Sequence, residues 1–147
     1  MKTAWLLFFL ITLIPGNKKT LNESPAGLMV EFIREPEHVL ISDPKPEFSW
    51  IVPDNAINQT AYQILVSSTK ELLSGDIGDL WNGIKTISSK SVEVQYSGGN
   101  LADNYKYFWK VRIWDRKGKP SSWSEIQSFK QGYLKIMELP GTDSLRL

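Results

Sequence analysis

Residues 101–115 (LADNYKYFWKVRIWD) constrain the fold more than any other stretch, because apolar and polar residues alternate along them. Successive side chains of a β-strand point to opposite faces, so this alternation predicts one long strand. Its inward face would carry Tyr105, Tyr107, Trp109, Val111 and Ile113, and its outward face Lys106, Phe108, Lys110, Arg112 and Trp114. Ordering a backbone costs about 1–2 kcal/mol per residue, so such a strand is stable only inside a packed sheet.

Shorter segments with strand-like patterns occur along the rest of the chain, separated by turn residues such as Pro, Gly, Asn and Asp. These predicted strands are residues 28–34, 47–52, 61–68, 85–87, 91–96 and 124–131. The single helical signal is a capping box at residues 68–71 with a stop at Gly75, which predicts one or two helical turns. The sequence therefore predicts an all-β fold, an antiparallel β-sandwich of about seven strands.

The predicted core contains aromatic residues at sandwich-like positions. We expect these side chains to point inward: Phe48, Trp50, Val52, Tyr62, Ile64, Val66, Val92, Val94 and Tyr96. Tyr107 lies near the start of the long strand, as does the tyrosine of the tyrosine corner in Greek-key sandwiches. With Leu101, Trp50 and Gly118 it fits a fibronectin type III or immunoglobulin-like layout, although the two core cysteines of true immunoglobulin domains are absent.

Composition and charge exclude several classes of function. The chain of 147 residues has 17 Lys and Arg against 16 Asp and Glu, so no basic field is present to hold nucleic acid. It has no cysteine, which excludes disulfides, thiolate metal sites and a thiol nucleophile. The one histidine, His38, lies beside Glu35 and Glu37 without a metal or catalytic motif. We therefore expect no catalytic residue, no metal and no cofactor.

The two ends of the chain differ in composition from its middle. Lys2 and the apolar residues 4–14 predict a signal peptide over residues 1–16 and hence export to the periplasm or the extracellular space. An N-terminal anchor or a buried strand are the alternatives, because no A-x-A cleavage pattern follows. Residues 17–27 are predicted to be a linker, residues 28–132 the sandwich and residues 133–147 a divergent tail. We expect no membrane association after signal removal.

One face of the long strand offers a candidate binding surface made of Trp114, Trp123, Arg112 and Lys110. Trp123 lies in residues 121–124 (SSWS), which partly resemble the Trp-Ser box of cytokine-receptor fibronectin domains. One hypothesis is an aromatic platform for a sugar ring. The other, which the alternation favours, is a stacked ladder of tryptophans and cations that covers the sheet.

Several stretches together resemble the N-terminal module of bacterial α-L-rhamnosidases. They are residues 43–50 (DPKPEFSW), 59–68 (QTAYQILVSS), 79–81 (DLW), 91–96 and 105–125 (YKYFWKVRIWDRKGKPSSWSE), with Phe129 and Gly132 at the end. The resemblance implies a fibronectin III-like sandwich that precedes carbohydrate-binding β-domains and a helical catalytic barrel. It implies that the barrel removes terminal L-rhamnose with two carboxylates, none of which lies in the matched stretches.

The resemblance predicts a non-catalytic accessory module that packs against and orients catalytic and carbohydrate-binding domains. We expect it to leave some apolar surface uncovered. The alternative is a stand-alone exported glycan- or protein-binding module. Two departures from the family pattern stand out: Asn82-Gly83 after Trp81 replaces Asp-Ser-Gly, and residues 134–147 do not resemble the family's continuation. A truncated reading frame, a fragment and a natural short product stay open as explanations.

Overall fold

The computed structural model describes residues 23–56 and 58–133, which form a β-sandwich with one short helix. The predicted signal peptide and most of the predicted tail lie outside these residues. The elements are β1 (Ala26–Val30), a 3-10 turn (Pro36–His38), β2 (Leu40–Ile41), β3 (Glu47–Ile51), β4 (Gln59–Ser67), α1 (Lys70–Ser74), β5 (Trp81–Asn82), β6 (Thr86–Ile87), β7 (Val94–Gln95), β8 (Lys106–Asp115) and β9 (Gln127–Gln131).

The strands form two sheets that pack face to face. Sheet 1 has the order β1-β3-β7, and sheet 2 has the order β2-β9-β8-β4-β5, with β6 also paired to β4. All pairs are antiparallel except β2 and β9, which run parallel. The predicted all-β sandwich is therefore confirmed, with one parallel pair that the sequence did not predict.

The core lies between the sheets and is mainly aromatic. Phe48 of β3 and Trp109 of β8 are fully buried, with ring centroids 4.5 Å apart. Phe129 of β9 packs edge-on against Phe48 at 5.8 Å. Tilted and edge-on aromatic pairs contribute about 0.5–1.5 kcal/mol each beyond their buried area. The inward alternation predicted for Trp50, Ile64, Val66, Val111 and Ile113 is confirmed, since each is at most 2% exposed.

The prediction of a strand over residues 28–34 is wrong in its second half. The strand is Ala26–Val30, which begins inside the range we assigned to the linker. Glu31 and Phe32 then have φ angles of 53° and 60°, and Val30 and Ile33 exchange backbone hydrogen bonds across them. This tight turn leaves Phe32 56% exposed. The Glu31 carboxylate holds the turn by accepting a hydrogen bond of 2.7 Å from the Glu47 backbone N–H.

Two further residues predicted to be inward are exposed. Val92 is 45% exposed because the strand there is only Val94–Gln95, and Glu93 before it has a φ of 53°, which breaks the alternation. Tyr105 is 64% exposed because β8 begins one residue later, at Lys106, after a left-handed turn at Asn104.

The short helix α1 forms where the capping signal predicted it, with a different cap. Thr69, rather than Ser68, is the N-cap, and its side chain accepts a hydrogen bond from the Leu72 backbone N–H. Gly75 ends the helix as predicted. In the part of the chain that the structure describes, no helix has the length and apolarity of a membrane span.

Candidate functional site

The outer face of sheet 2 brings together all four residues of the candidate binding surface. Lys110, Arg112 and Trp114 occupy alternate positions of β8 and therefore share this face. Trp123 reaches the same face from the segment that connects β8 to β9. Contacts among these four side chains bring them together on this face.

The four side chains form a ladder in which cations and tryptophan rings alternate. The Arg112 guanidinium carbon lies 5.0 Å from the ring centroid of Trp114 and 4.5 Å from that of Trp123. Lys110 Nζ lies 4.8 Å from the Trp123 centroid. At the other end, Lys85 Nζ lies 4.8 Å from the Trp114 centroid. Each such contact contributes about 0.5–1 kcal/mol where it is exposed to solvent.

Polar partners hold the cations of the ladder in place. The Arg112 Nε–H donates a 2.8 Å hydrogen bond to Gln63 Oε1 on the neighbouring strand β4. Lys110 is only 4% exposed and forms an ion pair with Asp76, which follows α1. A buried ammonium without such a partner would be strongly destabilising, so Asp76 explains why a lysine is tolerated there.

The segment that carries Trp123 pairs with β8 without being a β-strand. The backbone N–H groups of Ser121 and Ser124 donate hydrogen bonds of 2.8 Å to carbonyls of β8, those of Ile113 and Val111 respectively. Their hydroxyls accept hydrogen bonds of 3.0 Å from the backbone N–H groups of the same two residues. Ser121 and Ser124 are three residues apart, whereas their partners Ile113 and Val111 are two residues apart, so the pairing departs from the regular register of a β-strand. For this reason the predicted strand over 124–131 begins only at Gln127.

This geometry favours the ladder hypothesis over the sugar platform. Both Trp114 and Trp123 are half-buried, and their rings are already in contact with cations of the same sheet. A sugar platform needs a wide, free ring face. The role of these four residues in ligand binding remains a prediction.

Tyr107 forms the predicted tyrosine corner. Its hydroxyl oxygen accepts a 2.7 Å hydrogen bond from the backbone N–H of Ala102, five residues upstream. Tyr107 is 4% exposed, and its ring packs against Phe129 at 5.7 Å. The phenol therefore ties the loop before β8 to the core, which is a structural role.

Asp79 fastens the loop before β5 to the end of β4. Its carboxylate accepts hydrogen bonds from the hydroxyls of Ser67 and Ser68, at 2.7 and 2.6 Å, and from the Ser68 backbone N–H at 2.9 Å. Burial acts to raise the pKa of Asp79, but the hydrogen bonds from Ser68 and Ser67 outweigh it and hold that pKa below its usual value. This role explains the acidic residue of the Asp79-Leu80-Trp81 motif.

The remaining ionisable residues do not converge on a reaction centre. The side chain of His38 is 72% exposed and lies 3.8 Å from Glu37. Within residues 23–56 and 58–133, no group of three or more His, Asp or Glu side chains is placed to hold a metal ion. Asp43 and Asp115 accept hydrogen bonds from nearby backbone N–H groups in turns.

Sequence reasoning missed a groove of about 330 Å³ between the edge of sheet 2 and strand β7. Eight residues line it: Tyr62, Ile64, Trp81, Gly83, Ile84, Thr86, Gln95 and Ser97. Burial raises the pKa of Tyr62, opposed by a hydrogen bond with the Thr86 side chain, so this phenol is neutral at physiological pH. No signal in the sequence could have found the groove, because its residues come from three separate segments, 62–64, 81–86 and 95–97.

Comparison with known proteins identifies the family. The family model of the Rha78A-like, N-terminal immunoglobulin domain matches residues 25–135. This chain belongs to that family. The match covers both sheets, and it confirms the resemblance to the N-terminal module of α-L-rhamnosidases.

Curated relatives and solved structures agree with this assignment. An α-L-rhamnosidase of Formosa agariphila is 40% identical over an alignment of 114 residues that covers 69% of this chain and 12% of that protein. An α-L-rhamnosidase of Streptomyces avermitilis is 35% identical over 71% of this chain and 10% of its own length. The solved α-L-rhamnosidase from Dictyoglumus thermophilum superposes with a TM-score of 0.72 at 39% identity, over 78% of this chain and 13% of that one. The chain thus spans about a tenth of the length of these relatives.

The departure at Asn82-Gly83 produces an irregular edge strand. The backbone N–H of Gly83 donates a 3.0 Å hydrogen bond to the Ile64 carbonyl, between the β5 and β6 pairings with β4. A Cβ atom at Gly83 would lie 2.4 Å from that carbonyl oxygen, so glycine is required there. Gly83 therefore allows the chain to approach β4 closely between β5 and β6.

Proposed function

We propose that this domain is a non-catalytic accessory module of an α-L-rhamnosidase-like glycoside hydrolase. The observation that carries the proposal is the extent of the match: residues 25–135 correspond to an N-terminal immunoglobulin domain, about a tenth of the α-L-rhamnosidases to which the chain is similar. Its partners would be the catalytic and carbohydrate-binding domains, which it would orient by packing against them. The substrates of the whole enzyme would be terminal L-rhamnose residues of glycans.

Exposed apolar side chains support a packing role. Large hydrophobic residues with at least half of their surface exposed are Phe32, Ile51, Ile77, Ile84, Ile87, Tyr105 and Tyr133. Single exposed hydrophobics are ordinary, but isoleucines that are 80% and 79% exposed, as Ile84 and Ile87 are, leave apolar surface that a neighbouring domain could cover.

Export is part of the proposal. It rests on Lys2 and the apolar residues 4–14, which have the order of a signal peptide. A rhamnosidase that acts on external glycans would need this location. This part is tested separately by fractionating the host culture into medium, periplasm and cytoplasm and measuring how much of the protein each fraction contains.

A stand-alone glycan- or protein-binding module is the alternative function. It would use Trp114 and Trp123 as an aromatic surface, with Arg112 and Lys110 beside them. We favour the accessory role because those rings are half-buried and already stack on the two cations.

A chimaera tests the accessory role. The matched N-terminal segment of the Formosa agariphila relative is deleted in one variant and replaced by residues 25–135 of this chain in another. We expect deletion to lower the thermal unfolding temperature of the enzyme, and the replacement to restore it together with hydrolysis of an aryl α-L-rhamnoside. A chimaera no more stable than the deletion variant would contradict the proposal. So would hydrolysis of the aryl rhamnoside by the present chain alone.

A further inference from the structure

We propose that the groove between the edge of sheet 2 and β7 binds a neutral sugar residue. This goes beyond the accessory role and does not depend on it, because the argument uses only the chemistry of the groove. The lining combines aromatic and aliphatic side chains with hydroxyl and amide groups, and it contains no charged side chain. Rings and isoleucines suit the C–H faces of a sugar, and hydroxyls and amides suit its hydroxyl groups.

Four other grooves in the described part of the chain have linings of a different kind. The groove beside β1 includes Arg34, Glu37 and Glu125, and the one beside the end of β2 includes His38. Two more, near the end of β3, each include Asp54. The groove beside β7 combines two aromatic rings, those of Tyr62 and Trp81, with hydroxyl and amide groups and no acidic or basic side chain, and this combination suits a polyol.

The groove is held in shape before any ligand arrives. The Trp81 ring contacts Tyr96 edge-on at 5.5 Å and Phe48 at 6.1 Å, so the core fixes its position. The Gly83 carbonyl accepts a 2.7 Å hydrogen bond from the Gln63 side-chain amide. The Thr86 hydroxyl donates to the Ile84 carbonyl at 3.2 Å. A pre-formed site costs little ordering entropy on binding.

Its rim offers both kinds of contact that a sugar needs. Gln95 and Ser97 are exposed beside β7, where their amide and hydroxyl can exchange hydrogen bonds with a ligand. Ile84 also lines the groove and is 80% exposed, so its side chain is accessible to a ligand in this domain. The volume of about 330 Å³ lies at the small end of ligand pockets, which measure roughly 300–1,000 Å³, so one sugar ring is the expected occupant.

Titration of the full chain with L-rhamnose, D-glucose and D-glucuronate, followed by NMR, tests this. We expect saturable shifts of the Trp81 indole N–H and of the Gln95 and Ser97 amides with at least one neutral sugar, with a Kd on the order of 1 mM. D-glucuronate should bind more weakly than D-glucose, because its carboxylate would be desolvated without a counter-charge. No saturable shift at these groups, or equal binding of glucuronate and glucose, would overturn the inference.

Two isoleucines provide a matched pair of variants. Ile84 lines the groove, whereas Ile87 does not line it and is exposed to the same degree. We expect Ile84→Asp and Gln95→Ala to weaken sugar binding by about tenfold or more, and Ile87→Asp to change it by less than about twofold. Unchanged binding in both groove variants, or an equal loss in both isoleucine variants, would show that the sugar binds elsewhere and would refute the site. Dispersed amide spectra confirm that each variant is folded.

Discussion

Tyr107 shows how one hydroxyl can hold a loop in this fold. The oxygen accepts from the Ala102 N–H at 2.7 Å and also lies 3.4 Å from the Ala102 carbonyl, so both backbone groups of one residue depend on it. The loop carries Leu101, which packs against the core as a partly buried side chain. Without the phenol, the Ala102 N–H would lose its partner beside the core.

We therefore expect Tyr107→Phe to lower the free energy of unfolding by about 0.5–1.5 kcal/mol, the usual net contribution of one hydrogen bond, because the Ala102 N–H is only part-buried. Urea denaturation followed by circular dichroism measures it. Tyr105→Phe is the matched control, because Tyr105 is 64% exposed and should change stability by less than about 0.5 kcal/mol. Equal effects of the two variants would show that the corner hydrogen bond adds nothing.

At the scale of elements, the segment between β8 and β9 extends sheet 2 without adopting strand geometry. Ser121 and Ser124 take over the hydrogen bonds that a neighbouring strand would supply to β8, and both are buried, at 5% and 6% exposed. The arrangement also sets Trp123 between the cations of Arg112 and Lys110. The serines and the ladder are thus one structural unit.

We therefore expect three serines of this segment to contribute unequally to the free energy of unfolding. Ser121→Ala and Ser124→Ala should each lower the free energy of unfolding by about 1–3 kcal/mol, because each leaves a buried backbone N–H of β8 without its hydroxyl acceptor. Ser122→Ala, at an exposed position, should have an effect below about 0.5 kcal/mol. Thermal and urea denaturation measure the stability of the three variants. A loss of stability in Ser122→Ala as large as in the other two variants would contradict the role of the Ser121 and Ser124 hydroxyls.

Comparison of elements also shows what the sequence could predict. The long strand β8 was predictable because Tyr107, Trp109, Val111 and Ile113 recur at every second position, and all four are buried. The turn after β1 was not, because Glu31 and Phe32 adopt left-handed φ angles without the Asn or Gly that usually marks such a turn. A single left-handed residue, Glu93, reversed the direction predicted for Val92. Tertiary hydrogen bonds, such as that of Glu31 with Glu47, override local preference there.

The candidate site was predictable to a similar extent. The ladder follows from the alternation of Lys110, Arg112 and Trp114 within one strand, and Trp123 is close in sequence. The groove around Trp81 exists because the edge of sheet 2 lies opposite β7. This arrangement brings together Tyr62 and Gln95, which are far apart in the chain. No local pattern encodes such a contact.

At the scale of the whole molecule, Gln127 joins the N-terminal strand to the opposite sheet. Its side-chain amide donates to the carbonyls of Leu28 and Arg34, at 2.9 and 2.8 Å, and its carbonyl accepts from the Trp109 indole N–H at 3.0 Å. Trp109 is fully buried at the centre of the core. One side chain thus links β1 of sheet 1, the turn after it and two strands of sheet 2.

We expect Gln127→Met to lower the free energy of unfolding by about 2–4 kcal/mol, since it removes three hydrogen bonds and leaves the buried Trp109 indole N–H unpaired. Because the lost bonds lead to β1, hydrogen exchange should accelerate most at the amides of Leu28 and Val30, ahead of those in the centre of β8. Gln95→Met, at an exposed glutamine, is the control and should leave exchange in β1 unchanged. If exchange in β1 and β8 accelerates equally, Gln127 stabilises the sandwich uniformly and is not the specific link between β1 and sheet 2.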